Sequence, residues 1–391
     1  MNVMKVEGFC NTSFELVKQA FVSHFEKGLE LGASVCVTRE GQPVVDLWAG
    51  DAAPDGTPWQ RDTIVNVYST TKTMAAVPLL MLADRGRIDF QAPVADYWPE
   101  FAQNGKAGVT VAHVMSHSAG LPSFDPPVQR VEEYYDWDDL CERLAAQEPW
   151  WEPGTQFAYH DMTLGYLQGE IVRRVTGKSI GTFFREEVAE PLGADFHIGL
   201  APEHDARVGE LVPPEMSVQD LPEDTPPDSI IARMMEGYHH TCLEPQTSAW
   251  RRAEIPAAGG FGNARSVARV HAALACGGAL DGVKLLSPAG VERVLEEQIR
   301  GVDQAIGMEV VWGMGFAIND PGLATRGSAL HGAPMSPNRR AFYWAGYGGS
   351  LAVVDLDARV SIAYVMNRMS PNPESDLERG YAIAQAAYRS L

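Results

Sequence analysis

The segment Ile64-Val-Asn-Val-Tyr-Ser-Thr-Thr-Lys72 decides the fold, because it joins an apolar extended run to the start of a helix. Its first five residues are typical of a strand, and Thr70–Arg85 is rich in Ala, Leu and Met. Pro78 within that stretch predicts a kink or a late helix start. The segment therefore places Ser69 where a strand gives way to a helix.

Strand and helix patterns on both sides of this junction indicate an α+β fold. Phe14–Leu31 has apolar residues at close to helical period, and two β-rich runs around a glycine-containing turn predict a hairpin. Strand patterns near the C-terminus precede a last helix, which is typical of an antiparallel sheet covered by helices. The predicted strands are Ala33–Thr38, Val44–Trp48, Arg340–Trp344, Gly349–Val354 and Val360–Met366, and the later helices are Ser266–Cys276, Pro288–Glu297 and Leu377–Leu391.

The middle of the chain has a different pattern. From about residue 96 to 255 strand signals nearly vanish, and helical stretches such as Tyr159–Thr176 and Ile180–Val188 alternate with proline-rich loops. A chain of 391 residues is also longer than one hydrophobic core usually supports. We therefore predict an antiparallel β-sheet flanked by helices, formed by residues 1–95 plus 256–391. A mostly helical inserted domain covers residues 96–255, with the active site in the cleft between the two parts.

Ser69 and Lys72 are the first candidates for chemistry. Residues three apart share one face of a helix, so the hydroxyl and the amine could meet. Serine becomes a strong nucleophile only when its proton is removed, and a lysine can do this if burial lowers its pKa from ~10.4 toward neutrality. The spacing alone is weak evidence, since a helix N-cap serine beside a solvated lysine gives the same pattern. A serine at a helix start would also offer its own N–H to an oxyanion.

Further segments of the chain match motifs of one known family in the same order, which makes the pairing of Ser69 and Lys72 more specific. The S-x-x-K pattern is typical of β-lactamases and penicillin-binding proteins. The chain resembles the class C β-lactamase and D-alanyl-D-alanine carboxypeptidase superfamily of penicillin-binding-protein-like serine hydrolases, particularly its esterase branch, the family VIII carboxylesterases. The matching segments are Asn66–Lys72, Val111–Pro122, Trp151–Gly154 with Tyr159–Asp161, Ala257–Gly262 and Trp344–Gly349.

The resemblance implies roles for residues that the sequence alone would not single out. Tyr159 would be the second proton carrier beside Ser69 and Lys72. The oxyanion hole would combine the backbone N–H groups of Ser69 and Tyr347, and Gly346 would let the strand lie close to the scissile group. His160 is a general base by residue type, but the family does not use that position, so we expect it to be structural or on the surface.

Three departures from the family pattern bear on the substrate. Asp161 stands where the family's tyrosine motif usually ends in Asn, and its charge would raise the pKa of Lys72. Trp344 stands in place of the lysine that pairs with a substrate carboxylate, and Ala345 removes a hydroxyl from the same anion site. With Trp344, Gly346 and Asp161 as substrate-binding residues, we predict poor recognition of penicillins and tolerance of neutral esters.

These observations predict a serine carboxylesterase that hydrolyses small neutral esters through an acyl-enzyme on Ser69. A transacylase that passes the acyl group to a small-molecule alcohol stays open as an alternative. So does a β-lactamase or D,D-peptidase on the same scaffold. A non-enzymatic binding protein is disfavoured, because it would not need Ser69, Lys72 and Tyr159 together.

The amino-acid composition excludes some classes of binding partner and favours one cellular compartment. The formal charge of −20 argues against nucleic acid and against anionic membrane surfaces. No apolar run reaches the ~20 residues that cross a bilayer, and residues 1–14 lack the order of a secretory signal. Five scattered cysteines suggest reduced thiols in a cytoplasmic protein. No metal-ligand spacing is present, so we expect neither a metal nor a cofactor, and a small-molecule ester as the partner.

Overall fold

The strands form one large sheet and two small ones in the computed structural model, which describes residues 5–215, 221, 223–322, 334–371 and 375–391. The strands in these ranges are β1 Val6–Cys10, β2 Gly32–Arg39, β3 Gln42–Gly50, β4 Val65–Asn66, β5 Phe196–Ile198, β6 Gly260–Gly262, β7 Ala279–Leu280, β8 Val283–Lys284, β9 Ile299–Val302, β10 Glu309–Trp312, β11 Ala317–Ile318, β12 Ala341–Ala345, β13 Leu351–Asp355 and β14 Val360–Met366.

The helices fall between these strands, except for the last one, which follows β14, and most of the helices between β4 and β6 are short. The α-helices of the described residues are α1 Glu15–Glu26, α2 Thr70–Asp84, α3 Val111–Met115, α4 Trp137–Ala146, α5 Thr163–Thr176, α6 Ile180–Phe184, α7 Glu190–Leu192, α8 Ile230–Met235, α9 Ser248–Arg252, α10 Ala264–Ala275, α11 Pro288–Glu292 and α12 Asp376–Tyr388. Each described helix is too short or too polar to span a lipid bilayer.

The large sheet is antiparallel throughout and joins both ends of the chain. Its strand order is β1-β3-β2-β14-β13-β12-β11-β10-β9, with β2 from the N-terminal part paired to β14 from the C-terminal part. β13 and β14 are buried along their whole length, as expected for central strands covered on both faces. The predicted α+β fold, an antiparallel sheet flanked by helices, is confirmed. The domain boundaries stay a prediction.

Helices cover both faces of this sheet. Ser361 of β14 donates to the carbonyl of Ala268 in α10. Tyr364, three residues further along the same strand, contacts Glu30, which pairs with Arg379 of α12 at 2.8 Å. Side chains alternate between the faces of a strand, so α10 and α12 lie on opposite sides.

A second, three-stranded sheet of order β4-β6-β5 carries the start of α2. Thirteen consecutive residues of α2, from Thr70 to Leu82, are buried, so this helix is packed on all sides. The late helix start that Pro78 suggested is wrong: the helix begins at Thr70 and continues past the proline to Asp84. Packing around the whole helix outweighs the single hydrogen bond that Pro78 removes.

The predicted helix over Tyr159–Thr176 is too long at its N-terminal end. The helix α5 begins only at Thr163. The backbone N–H of Tyr159 is bound by the carboxylate of Asp303, and that of His160 by Nδ1 of His117. Side chains from distant segments thus hold the residues before α5 in a non-helical conformation. The strands β1 and β9 to β11 were not predicted, and they lie at the two edges of the sheet.

Candidate active site

A tight turn between β4 and α2 presents Ser69. Tyr68 has a positive φ of 42°, which is uncommon for a residue with a side chain, and Ser69 is the N-cap of α2. Asn66 holds the turn from both ends: its side-chain oxygen accepts the Tyr68 N–H at 3.2 Å, and its amide nitrogen donates to the Ala258 carbonyl at 2.9 Å. The turn places Ser69 at the positive end of the helix.

Lys72 lies directly beside Ser69. Its Nζ is 3.1 Å from the Ser69 Oγ, 3.0 Å from the Ala257 carbonyl oxygen and 3.8 Å from Oδ1 of Asp161. The side chain is only 2% exposed, and this burial lowers the pKa of Lys72 to about 8, although the Asp161 carboxylate acts in the opposite direction. A neutral amine is therefore accessible near physiological pH.

Tyr159 completes a cluster of three groups. Its ring centre is 4.6 Å from the Lys72 Nζ, and its hydroxyl accepts a 2.9 Å hydrogen bond from Nε1 of Trp344. Burial and the Asp161 charge raise the pKa of Tyr159 well above its usual range, while its hydrogen bonds with Ser69 and Trp344 lower it. Tyr159 is therefore a neutral phenol in the resting protein, able to donate a proton.

The two histidines near Tyr159 are structural. His160 is fully buried: its Nδ1 bonds the Ala158 carbonyl at 2.7 Å, and its Nε2 accepts the Leu121 N–H at 3.2 Å. Burial lowers the pKa of His160 to about 4, so it stays neutral. The His117 ring lies 4.8 Å from the Tyr159 ring centre and supports it from one side. His160 is thus unsuited to act as the general base.

The end of β12 approaches the Ser69 turn closely. A Cβ on Gly346 would lie 2.1 Å from the Val67 carbonyl oxygen, so only glycine fits there. Ser350 ties the two segments together, because its hydroxyl donates to the same Val67 oxygen at 2.9 Å and lies 2.9 Å from the Thr70 hydroxyl. The Tyr347 ring packs edge-on against Tyr68 at 5.8 Å. This approach is what an oxyanion hole from Ser69 and Tyr347 requires, and that role stays a prediction.

The comparison with protein families agrees with this geometry. The family model described as Beta-lactamase matches residues 20–387. The chain belongs to the Beta-lactamase family. This confirms the predicted superfamily, and with it the prediction that the chain is a serine hydrolase.

Individual relatives cover nearly the whole chain. The Esterase/beta-lactamase LipL of Mycobacterium tuberculosis is 35% identical over 375 residues, covering 93% of this chain and 83% of that protein. A crystal structure of a family VIII carboxylesterase is 42% identical with a TM-score of 0.89, covering 99% of this chain and 100% of that one. A penicillin-binding protein homologue from Caulobacter crescentus is 38% identical with a TM-score of 0.88 and the same coverage.

In this member of the Beta-lactamase family, Asp303 holds the Tyr159 segment. Its Oδ1 accepts the backbone N–H groups of Tyr159, Ala305 and Ile306 at 2.9, 2.9 and 3.2 Å. Sequence reasoning missed Asp303, because 144 residues separate it from Tyr159 and no local pattern marks it. Its carboxylate links the Tyr159 segment to the turn between β9 and β10.

Two side chains of α12 hold the loop that follows Gly346. The Gly348 N–H donates to Oδ2 of Asp376 at 2.9 Å, and the Gly348 carbonyl accepts from Nη2 of Arg379 at 2.7 Å. Both polar backbone groups of the residue after Tyr347 are therefore fixed. Sequence reasoning missed this pair as well, since neither residue belongs to a motif.

The segment from Tyr238 to Cys242 reaches the Ser69 turn at its last residue. Cys242 has a positive φ of 65° and is buried beside the phenols of Tyr68 and Tyr347. The Asp161 carboxylate acts electrostatically on Tyr238 and on His240. No group of His, Cys, Asp and Glu within the described ranges is arranged to hold a metal ion.

Proposed function

We propose that the protein is a serine carboxylesterase that hydrolyses small neutral esters through an acyl-enzyme on Ser69. The observation that carries the proposal is the 3.1 Å distance between the buried Lys72 amine and the Ser69 hydroxyl. Burial, which lowers the pKa of Lys72, makes this amine a usable base, and Tyr159 supplies a neutral proton donor beside it.

Acylation follows from these protonation states. The neutral Lys72 amine takes the Ser69 proton while Oγ forms a bond to the ester carbonyl carbon. The N–H groups of Ser69 and Tyr347 bind the resulting oxyanion. When the tetrahedral intermediate collapses, the ester C–O bond breaks and the alkoxide takes a proton from Tyr159. The Lys72 ammonium returns a proton to Tyr159, so the alcohol leaves neutral.

Deacylation repeats the sequence with water as the nucleophile. Neutral Lys72, with Tyr159 as a relay, takes a proton from the water as its oxygen bonds to the acyl carbon. The Ser69–acyl bond then breaks, and the Ser69 oxygen recovers a proton from the same pair. The products are the carboxylic acid and the free enzyme, and each step balances without a metal or cofactor.

The groups around Ser69 support a neutral substrate. Trp344 carries no positive charge, and its indole N–H is already bonded to Tyr159, so it cannot replace a lysine that pairs with a substrate carboxylate. Asp161 is 31% exposed at its side chain, and its negative charge repels an anionic ligand. The names of two relatives, an esterase/β-lactamase and a family VIII carboxylesterase, support ester hydrolysis and give a reason to test β-lactams as well.

The test compares p-nitrophenyl acetate and butyrate with a chromogenic cephalosporin, using wild type and Ser69→Ala. We expect both esters to be hydrolysed with a dependence on Ser69, and the cephalosporin at a far lower kcat/KM. Added acceptor alcohols should change the products little if water is the natural acceptor. Faster turnover of the cephalosporin, or predominant ester formation with the alcohol, would replace the proposal by the corresponding alternative.

We also propose a cytoplasmic location, with a small-molecule ester as the partner and no role for nucleic acid or a membrane. All five cysteines are free thiols, which suits a reducing compartment. The charge of −20 argues against binding polyanions. Cell fractionation followed by the ester assay tests the location, and activity in a secreted or membrane fraction would contradict it.

A further inference from the structure

The connection between β12 and β13 carries the predicted oxyanion donor, the Tyr347 N–H, in a tight turn. The N–H of Gly349 donates to the carbonyl of Gly346 at 3.0 Å, which closes a four-residue turn over residues 346–349. The N–H of Gly346 donates to the Ser350 carbonyl at 2.8 Å, so the turn continues the hairpin. Tyr347 and Gly348 are therefore the two central residues of this turn.

The turn does not determine its own conformation. Gly348 has a φ of +90° and Gly349 a φ of +120°, in the left-handed region that favours glycine. Glycine adopts many other conformations at little cost, so these two residues alone do not fix the direction of the Tyr347 N–H. Contacts from outside the turn must select one arrangement.

Two side chains of α12 supply these contacts. Oδ2 of Asp376 accepts the Gly348 N–H at 2.9 Å, and Nη2 of Arg379 donates to the Gly348 carbonyl at 2.7 Å. Nη2 of Arg379 also donates to the Arg368 carbonyl and the Ser370 hydroxyl, each at 3.0 Å, which fixes the position of the guanidinium. The peptide groups on both sides of Gly348 are thereby held by a helix rather than by the turn itself.

A line of hydrogen bonds links the Arg379 guanidinium to the Tyr347 N–H. The Gly348 carbonyl that Arg379 binds shares a peptide group with the Gly349 N–H. That N–H donates to the Gly346 carbonyl, which shares a trans peptide group with the Tyr347 N–H and points the opposite way. Hydrogen bonds in such a line polarise one another, so a cation at one end strengthens the donor at the other.

Arg379 does not itself offer a binding site for an anion. Its side chain is 5% exposed, and its Nη1 donates to the Leu29 carbonyl at 3.0 Å and pairs with Glu30 at 2.8 Å. Both terminal nitrogens of the guanidinium therefore have partners within the chain. Arg379 can act on the reaction only through the turn that it holds.

We propose that Arg379 and Asp376 are positioning residues of the oxyanion hole. They hold the turn over residues 346–349 so that the Tyr347 N–H meets the negative charge that develops on the ester carbonyl oxygen, and Arg379 strengthens that N–H as a donor. The inference rests on the proposed function. It adds two residues that act through the backbone of the turn rather than by contact with the substrate.

The test separates a loss of transition-state binding from a loss of stability. Asp376→Ala removes the acceptor for the Gly348 N–H, and Arg379→Gln removes the charge beside the Gly348 carbonyl. On p-nitrophenyl butyrate each variant should lower kcat about tenfold, less than the loss on the order of 10²–10³ expected when a whole donor is removed. KM should stay within about twofold, because acylation and deacylation both form an oxyanion and slow together.

Conservative variants and a matched control identify the cause. Asp376→Asn keeps an acceptor oxygen and Arg379→Lys keeps the positive charge, so each should recover part of the lost kcat. Glu378 is the other acidic residue in the first turn of α12, and it is exposed. Glu378→Ala loses the same favourable charge at the helix N-terminus, yet it should keep the wild-type kcat. Thermal unfolding of each variant verifies that the protein is folded.

The outcomes separate this inference from the proposed function. Wild-type kcat in Asp376→Ala or in Arg379→Gln would overturn the role of that residue, and so would a raised KM with an unchanged kcat. A fall in kcat that Glu378→Ala shares, or that neither conservative variant recovers, would show a structural effect and overturn the positioning role. Failure of Ser69→Ala to abolish hydrolysis of the ester would instead overturn the proposed function.

Discussion

The start of α2 and the segment Tyr238–Cys242 meet where Cys242 lies beside Tyr68, yet their buried polar side chains are satisfied differently. At the start of α2, the buried polar side chains of Asn66, Lys72 and Ser350 are all hydrogen-bonded within the chain. In the other segment, His240 is also buried, but neither of its ring nitrogens has a hydrogen-bond partner among the described residues. The chain thus pairs the polar groups beside Ser69 and leaves the imidazole of His240 unpaired within the described part of the chain.

The hydrogen bonds at the start of α2 have a physical reason. Groups that transfer protons must be held at reacting distance before the substrate arrives, which requires hydrogen bonds within the protein. The predictions below test whether the groups fixed around Ser69 carry the reaction.

The largest effect is expected from Lys72→Met. Removing the base beside Ser69 should lower kcat/KM on p-nitrophenyl butyrate by about 10³-fold, as measured by steady-state kinetics. Lys72→Arg should lose as much, because a guanidinium stays protonated. Lys106 is the matched control: it is buried and its pKa is also lowered to about 8, but it bonds the carbonyls of Gln103 and Gln147. Equal losses in Lys72→Met and Lys106→Met would show that the effect is structural.

Gly346→Ala should lower kcat on the order of 10²-fold, because the added carbon meets the Val67 carbonyl and displaces the oxyanion site. Gly108→Ala is the control, since its added carbon would meet no atom within 4 Å. Both variants are compared by kcat and by thermal unfolding. A Gly346→Ala protein with wild-type kcat would show that the close approach of β12 to the Ser69 turn is not needed for catalysis.

A smaller loss is expected from Trp344→Phe. It removes the indole N–H that donates to the Tyr159 hydroxyl, one hydrogen bond, and should lower kcat/KM about tenfold. Tyr343→Phe removes a polar atom from the adjacent position of the same strand and should have little effect. If the two variants behave alike, the bond to Tyr159 is not important for turnover.

The smallest effect is a shift in pH dependence. Activity requires neutral Lys72, so kcat/KM of the wild type should rise as the pH passes about 8. Asp161 raises the pKa of Lys72, and Asp161→Asn should therefore move this rise to lower pH. The exposed Asp55, changed to Asn, serves as the control. A pH profile that stays in place or moves upward in Asp161→Asn would contradict the assignment of Lys72 as the base.

Much of the fold was predictable because its signals are local. The β2–β3 hairpin and the strands β12 to β14 carry strand patterns and turn residues within a few positions. The errors arose where distant contacts override local preference. Tyr159 is held out of the helix α5 by Asp303, and the buried α2 continues through Pro78.

The residues of the active site also fall into two groups, those that the sequence indicates and those that only the three-dimensional structure shows. The spacing of Ser69 and Lys72 is visible in sequence, and the family resemblance added Tyr159, Trp344 and Tyr347. The residues that hold these groups in place have partners far away in the chain, so no spacing marks them. They are Asp303, Ser350, Asp376 and Arg379. That the ring nitrogens of His240 lack partners among the described residues becomes visible only in the three-dimensional structure.

The central claim is that Ser69 is the nucleophile that Lys72 and Tyr159 activate. Intact-mass analysis after treatment with a phosphonylating agent tests it most directly, with wild type and Ser69→Ala side by side. The account predicts one adduct per wild-type chain, located on Ser69 by peptide mapping, and none on Ser69→Ala. An adduct of equal yield on Ser69→Ala, or one located on another residue, would contradict it.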